Sequence, residues 1–341
     1  MDSIDADGPR RVTAAEVAAL AGVSVGTVSK ALSGRGAVRH DTRSRILDAA
    51  AELGYRAPHA EPIRTGYGST GALGVIIEDH FGRLTVPVLQ GAIEVLDELD
   101  LALLLVDGRG DAIREQHFAD ALVRRAVDGI LVVGAGVYPR EPIRGDLPLP
   151  VVYALSASTR EGDQSVTTDD ASGARIAARH LVATGRRRLT FISGPQRDAA
   201  SMVRLASTRA VLAEHGLDLV HDPLFGHWTE AWGRQAALQL LHSNVEFDAV
   251  VCGSDQIARG VLEALRENDV AVPSRVAVTG FDNWDVMVEA SRPPLTTVDM
   301  SLTDVGRLAA RTLVRAVAGD RTPGIQLVDC QLVPRESTAV G

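Results

Sequence analysis

The sequence predicts an all-α head followed by an α/β body, and three observations carry that reading. Residues 12 to 55 show helical apolar spacing broken by cap and turn residues. Beyond Gly71, short apolar runs alternate with amphipathic stretches, the pattern of parallel strands separated by helices. Charge also divides: from Gly8 to Arg56 there are eight Lys or Arg against four Asp or Glu, giving +4 and leaving −13 for the rest of a chain whose net charge is −9. A basic head suits phosphate, and an acidic body repels it everywhere else.

Taken in order, Thr13 can cap a helix that opens at Ala14, with Glu16 returning a carboxylate to the cap's own amide. Val17, Ala18, Leu20 and Ala21 supply its apolar side, and Gly22 ends it by accepting a left-handed conformation. Ser24 then caps a second helix, Val25 to Leu32, in which Val28 and Leu32 face inward and Val25, Gly26, Ser29 and Lys30 stay exposed. A third helix, roughly 41–53, carries Ile46, Leu47, Ala50 and Leu53 and ends at Gly54. Such a helix-turn-helix lays its second helix in the DNA major groove with cap amides near phosphate. Val25, Gly26, Thr27, Ser29 and Lys30 are then the candidate readers, and Thr13, Ser24, Arg35, Arg43 and Tyr55 further candidate DNA contacts.

These residues resemble the lactose-repressor (LacI/GalR) family of bacterial regulators, whose head pattern VAxxAGVSxxTVSxxL, TRxxI and ELGY stands here as Val17 to Leu32, Thr42 to Ile46 and Glu52 to Tyr55. The resemblance continues weakly to Pro334-Arg335-Glu336-Ser337-Thr338. It implies double-stranded DNA with a near-palindromic operator as partner, a small-molecule effector that is a sugar or sugar derivative, a homodimer, and most often repression. It also implies a hinge helix that inserts a leucine into the minor groove, and here Ile63 takes that place. Pro58 can begin such a helix, but Pro62 would fall inside it at a cost of ~3 kcal/mol, and Glu61 adds repulsion near phosphate. The hinge helix is therefore expected to be short or absent.

In the body, GALGVIIE, LALLLVD, GILVVGA, PVVYAL, RLTFISG, DAVVCGS and VAVTGF read as parallel strands buried on both faces of doubly wound sheets. The resemblance implies two lobes like those of periplasmic sugar-binding proteins. The boundaries expected are a disordered 1–10, a head at 11–57, a linker at 58–70 and an effector-binding body at 71–341. Its first lobe takes about 71–166 and 299–325 and its second about 168–296 and 326–341, with 293–299 as a crossover.

Ligands of open parallel sheets sit at the carboxyl ends of the strands, which selects Asp79, His80 and Phe81, the loop to Arg204, Ser254 with Asp255, and Asp282 to Trp284. Carboxylates and an arginine fork satisfy ring hydroxyls, and Phe81, Trp228 or Trp284 can cover an apolar sugar face. By resemblance, Arg204 falls at an effector-binding arginine and Asp282 at the acidic residue of VxGFD. Asp255 can equally be the N-cap of the helix that follows, and Trp228 can pack under the sheet. The effector-binding candidates are Asp79, Phe81, Arg204, Trp228, Ser254, Asp255 and Asp282. Ala154 and Leu155 stand where the family commonly has a polar or charged pair, which points to an unusual effector.

Other chemistries find little support. Lys30 is the only lysine, so the body has none for a P-loop, a Schiff base or pyridoxal phosphate. Gly22-Val-Ser24-Val-Gly26 fits GxSxG but joins helix to helix, and Gly66 to Gly71 fits GxGxxG but opens no helix. His215, His221 and His227 lack a ligand spacing, and Cys252 and Cys330 suit reduced thiols. No cofactor, metal or enzymatic activity is expected. The polar start MDSIDADGPR and the lack of a long apolar run point to a cytoplasmic protein with no membrane partner, and the absence of a heptad segment after 334–341 to a dimer.

Overall fold

The computed structural model describes residues 12–33, 38–53, 55, 70–79, 82–143 and 147–339, apart from the side chains at 32, 33, 40 and 51. The expectations for the N-terminus, for Leu32, Arg35 and Gly54, for the hinge with Ile63, and for His80 and Phe81 lie outside the described residues.

In the head, α1 (Ala14–Ala21), α2 (Val25–Ser33) and α3 (His40–Glu52) close on Val17, Ala18, Ala21, Val28, Ala31, Ile46, Ala49 and Ala50. The Thr13 hydroxyl accepts from the Glu16 amide while the Glu16 carboxylate accepts from the Thr13 amide at 2.7 Å, completing a reciprocal cap. Gly22 ends α1 at φ 67°, where a side chain is strained. Two apolar residues do not face inward as expected: Leu20 is 48% and Leu47 50% exposed. Each lies about 100° around its helix from a buried neighbour, Ala21 and Ile46 respectively, and a core this small covers only one face.

The body opens with β1 (Ala72–Ile77), α4 (Thr85–Glu98), β2 (Ala102–Asp107), α5 (Ala112–Arg124), β3 (Gly129–Val133), the short β4 (Pro139–Arg140), β5 (Val151–Ala154), the short β6 (Ala157–Ser158) and β7 (Gln164–Thr168). It continues through α6 (Asp170–Ala183), β8 (Leu189–Ser193), α7 (Ala199–Glu214), β9 (Leu224–Phe225), α8 (Glu230–His242), β10 (Ala249–Cys252), α9 (Asp255–Glu267), β11 (Ala277–Asp282), α10 (Asp285–Val288) and β12 (Thr296–Asp299). The last elements are α11 (Leu302–Val317), β13 (Gly324–Val328) and β14 (Gln331–Val333).

Two six-stranded sheets result, ordered β13-β7-β5-β3-β1-β2 and β14-β12-β11-β10-β8-β9, and every pairing is parallel except β12 with β14. Central strands β1 and β3 are buried along nearly their whole length, as a sheet covered by helices on both faces requires. The edge strand β2 departs from the expected full burial because it has a neighbour on one side only.

The chain crosses between lobes after Thr168, after Asp299 and after Val328. The stretch 293–299, expected as a crossover, mostly forms β12 within the second sheet, paired to β11 from Thr279↔Thr296 to Asp282↔Asp299. The change expected at 325–326 falls inside β13, whose pairing with β7 holds it in the first sheet through Val328. Strand β7, sequence QSVTT, is too polar to read as a strand, yet all five residues are buried.

Each lobe also has one helix pair in backbone contact. A Cβ on Gly91 of α4 would strike the Thr303 carbonyl, and one on Gly306 of α11 the Val88 carbonyl. In the second lobe Gly233 of α8 and Gly260 of α9 meet the carbonyls of Ile257 and Glu230 in the same way. Bare backbone at these four positions lets both pairs close.

Candidate functional site

The head presents the amino end of α2. Ser24 accepts from the Thr27 amide at 3.2 Å and shares a hydrogen bond with the Thr27 hydroxyl at 2.8 Å, which holds the first turn rigid. Val25, Gly26, Ser29 and Lys30 are exposed, Thr27 is half-buried, and Thr13 is exposed. Arg43, half-buried on α3, has an Nε with no hydrogen-bond partner among the described residues. Tyr55 packs against the core and donates its amide to Ala50 at 2.8 Å. Small residues flanked by cations can approach a base edge closely while the cations meet phosphate.

In the body, the carboxyl ends of the strands bring together groups from distant parts of the chain. Arg204, on α7, is 5% exposed; its Nε donates to Asp170 at 2.7 Å, its Nη2 lies 2.6 Å from the same carboxylate, and its Nη1 donates to the Gly253 carbonyl at 2.6 Å. The guanidinium also sits 3.7 Å from the Phe281 ring centroid and 5.9 Å from that of Trp228. These contacts engage all three nitrogens of the guanidinium. Trp228 is half-buried over Gly194, with its Nε1 donating to Asp198 at 2.9 Å. The ring thus packs on the Gly194 backbone and flanks the arginine.

Asp282 ends β11 at φ 123°, a backbone region that resists side chains. Its Oδ2 lies 2.6 Å from Nη1 of Arg83, which comes from the loop after β1 in the other lobe and lies over Trp284 at 5.7 Å. Burial pushes the Asp282 carboxyl above the usual carboxylate range, against the opposing pull of Arg83 and then Arg204. Asp79 is half-buried at the end of β1 and accepts from the Thr85 hydroxyl and the Gly82 amide, so it organises the loop that carries Arg83.

Ser254 and Asp255 have internal partners. Ser254, not Asp255, caps α9 by accepting from the Ile257 amide at 3.3 Å. Asp255 is fully buried and accepts from the Trp284 amide at 2.8 Å and the Thr297 hydroxyl at 2.5 Å. Burial, and then the charge of Asp282, hold its carboxyl well above the ordinary range. Both residues are thus engaged in capping α9 and in supporting the 282–285 turn. Ala154 and Leu155 are also fully buried, Leu155 at φ 70°.

Beside Asp170 opens a mainly apolar cavity of about 300 Å³ lined by both lobes, including Tyr138, Leu155, Thr168, Ala200 and Val203. Sequence reasoning missed Arg83, Asp170 and Tyr138. Asp170 reads as an ordinary first-turn acid after the cap Asp169, and only the fold brings it to Arg204. The carboxylates and arginine forks of this cleft can pair with several hydroxyls, and the rings can cover an apolar face. Among the described residues no group of His, Cys, Asp and Glu could hold a metal, and no helix is long and apolar enough to cross a membrane.

Comparison with known proteins matches residues 13–57 to the bacterial regulatory proteins of the lacI family and residues 178–338 to a periplasmic binding protein-like domain. The HTH-type transcriptional regulator CelR of Thermobifida fusca is 33% identical over 341 residues, covering 96% of this chain and 98% of the relative. The regulator AscG of Escherichia coli (strain K12) is 30% identical over 322 residues, covering 91% and 94%. Among solved structures, a CelR–cellobiose complex is similar with a TM-score of 0.66 at 29% identity, covering 96% of this chain and 100% of that one. A Lac repressor dimer bound to operator and the anti-inducer ONPF shares the fold with a TM-score of 0.70 at 23% identity, covering 97% and 100%.

Proposed function

The chain belongs to the lacI family of bacterial regulatory proteins and is a DNA-binding transcriptional regulator; from that premise we propose that it is a repressor, released from or recruited to its operator by a neutral carbohydrate bound between the lobes. The observation that carries this reading is the pairing of an exposed α2 face in the head with a cleft whose polar groups come from both lobes. Two copies present two heads to successive half-sites of a near-palindromic operator in the cytoplasm. Ligand and DNA affinities are then coupled through the lobe arrangement, each changing the other by the same factor. Val25, Gly26, Thr27, Ser29 and Lys30 contact base edges, with Thr13, Ser24, Arg43 and Tyr55 toward the backbone. Arg204, Asp282, Trp228 and Asp79 contact or organise the effector.

The test is selection of duplexes from a randomised pool by the full-length protein. A palindromic site is expected, and Lys30→Ala should weaken binding to it while lowering the log–log salt slope by about one unit if Lys30 meets phosphate. Recovery of no sequence, either alone or with the sugars present, would overturn the reading. Cellobiose, the sugar held in the CelR complex, is the first probe, followed by neutral mono- and disaccharides. Release or tightening of the selected operator is the expected response.

A further inference from the structure

We propose that Arg83 is the specificity-determining residue of the cleft: it occupies the place on Asp282 that an effector takes, so a ligand enters by exchanging Arg83 for its own hydrogen-bond donors. This rests on reading the cleft as the effector site, and it adds a residue that no resemblance supplied.

Three observations carry it. Arg83 belongs to the first lobe and Asp282 to the second, so their 2.6 Å contact ties one wall of the cleft to the other. The contact is also incomplete. Arg83 Nη1 and Asp282 Oδ2 are both buried and touch at 2.6 Å, yet neither atom completes a hydrogen bond that meets distance and angle together. A buried carboxylate oxygen that has charge but no aligned donor gains when a better-placed donor arrives. Finally, Asp282 is held at φ 123° by the pairing of β11 with β12, and the Asp255 carboxylate bonded to the Trp284 amide fixes the turn that follows. The acceptor is held by its strand and the turn that follows, whereas the long Arg83 side chain keeps 21% of its surface exposed. The movable partner of the pair is the arginine.

The exchange sets the chemistry of the ligand at this point. Atoms that replace a guanidinium on Asp282 must be donors, as the hydroxyls of a neutral sugar are, whereas ether, carboxylate and phosphate oxygens offer none. The exchange also replaces a direct lobe-to-lobe contact with contacts through the ligand, so occupancy and lobe arrangement change together.

The experiment compares full-length wild type, Arg83→Gln and Asp282→Asn. Ligand-free hydrogen exchange should quicken in both 82–85 and 282–288 in Arg83→Gln, as the tie is lost. Unchanged exchange in both segments overturns the proposal whatever sugars do. Thermal-shift titration with cellobiose and a panel of neutral sugars should show Arg83→Gln binding about tenfold more tightly than wild type, the gain expected if the tie is closed in ~90% of molecules, and Asp282→Asn binding more weakly. A sugar that binds wild type but loses affinity in Arg83→Gln makes Arg83 a direct ligand contact and overturns the exchange. If no sugar binds any of the three proteins while hydrogen exchange quickens as expected, the tie stands and the carbohydrate reading of the effector fails.

Discussion

Arg204 and Arg83 approach the same cleft, each facing a buried carboxylate, but they are held in different ways. Arg204 has two contacts to Asp170, one to the Gly253 carbonyl and a ring against its face, and its partner Asp170 also accepts from the Thr168 hydroxyl at 2.7 Å. Arg83 makes one unaligned contact to Asp282 and lies more loosely over Trp284. A buried ion pair is stable only when its remaining donors and acceptors are met, and removing one member of a satisfied pair leaves an uncompensated charge. Arg204 is part of the frame that joins α7 to the first crossover, whereas Arg83 is an occupant.

The sharpest test of this contrast is Arg204→Ala, which should cost 3–5 kcal/mol, roughly the loss for breaking a buried pair, read as a large fall in the denaturation midpoint. If the variant melts with the wild type, Arg204 is not structural and the contrast collapses. Asp170→Asn keeps a hydrogen-bond acceptor and removes the charge, so about 2 kcal/mol is expected, the scale of a charge-assisted hydrogen bond; a larger loss than for Arg204→Ala would reverse the roles of the partners.

A smaller, pH-dependent effect comes from behind Asp282. The Asp255 carboxyl is raised in the folded protein, so the folded chain holds that proton more tightly than the unfolded one. Stability then falls as pH rises from the ordinary carboxylate value near ~4 toward the raised folded value, and is level above it. Asp255→Asn should flatten that fall in a melting profile against pH. Arg83→Gln should carry the fall to higher pH, because Arg83 is among the charges that offset the burial of Asp255. The smallest effect is that of Arg83→Gln on stability at neutral pH, about 1 kcal/mol, the low end for leaving one buried acceptor unmet. A loss as large as that of Arg204→Ala would erase the distinction.

The same contrast explains what could be read from the residues alone. Thr13 with Glu16, Gly22 and Ser24 act on neighbours within one turn, and their chemistry stands complete in the sequence. The strands of the body are legible because burial on both faces leaves long apolar runs, and β7 escapes because its burial rests on Ser and Thr. In the cleft, Arg204 and Asp282 are found through their motifs, but their partners are not. Asp170 looks like an acidic first-turn residue, and Arg83 like a loop cation beside the more conspicuous Asp79. Ser254 and Asp255 show the converse: adjacent polar residues after a strand suggest a ligand, and only the fold shows that one caps α9 and the other braces a turn.

The three crossings of the chain also bear on how the protein is made. The core of the first lobe includes Leu302, Val305, Ala309 and Leu313 of α11, and its edge strand is β13, so its early strands leave the ribosome long before the helix that covers them. At ordinary translation speeds the interval between Thr168 and Leu302 lasts on the order of 10 s. During that time the face of β3 and β5 that α11 will cover stays bare, while the second lobe gains β8, β10, β11 and their helices in one uninterrupted stretch. The lobe that begins first therefore waits longest for the helix that covers it, while the second lobe is closed last of all by β14, almost at the end of the chain.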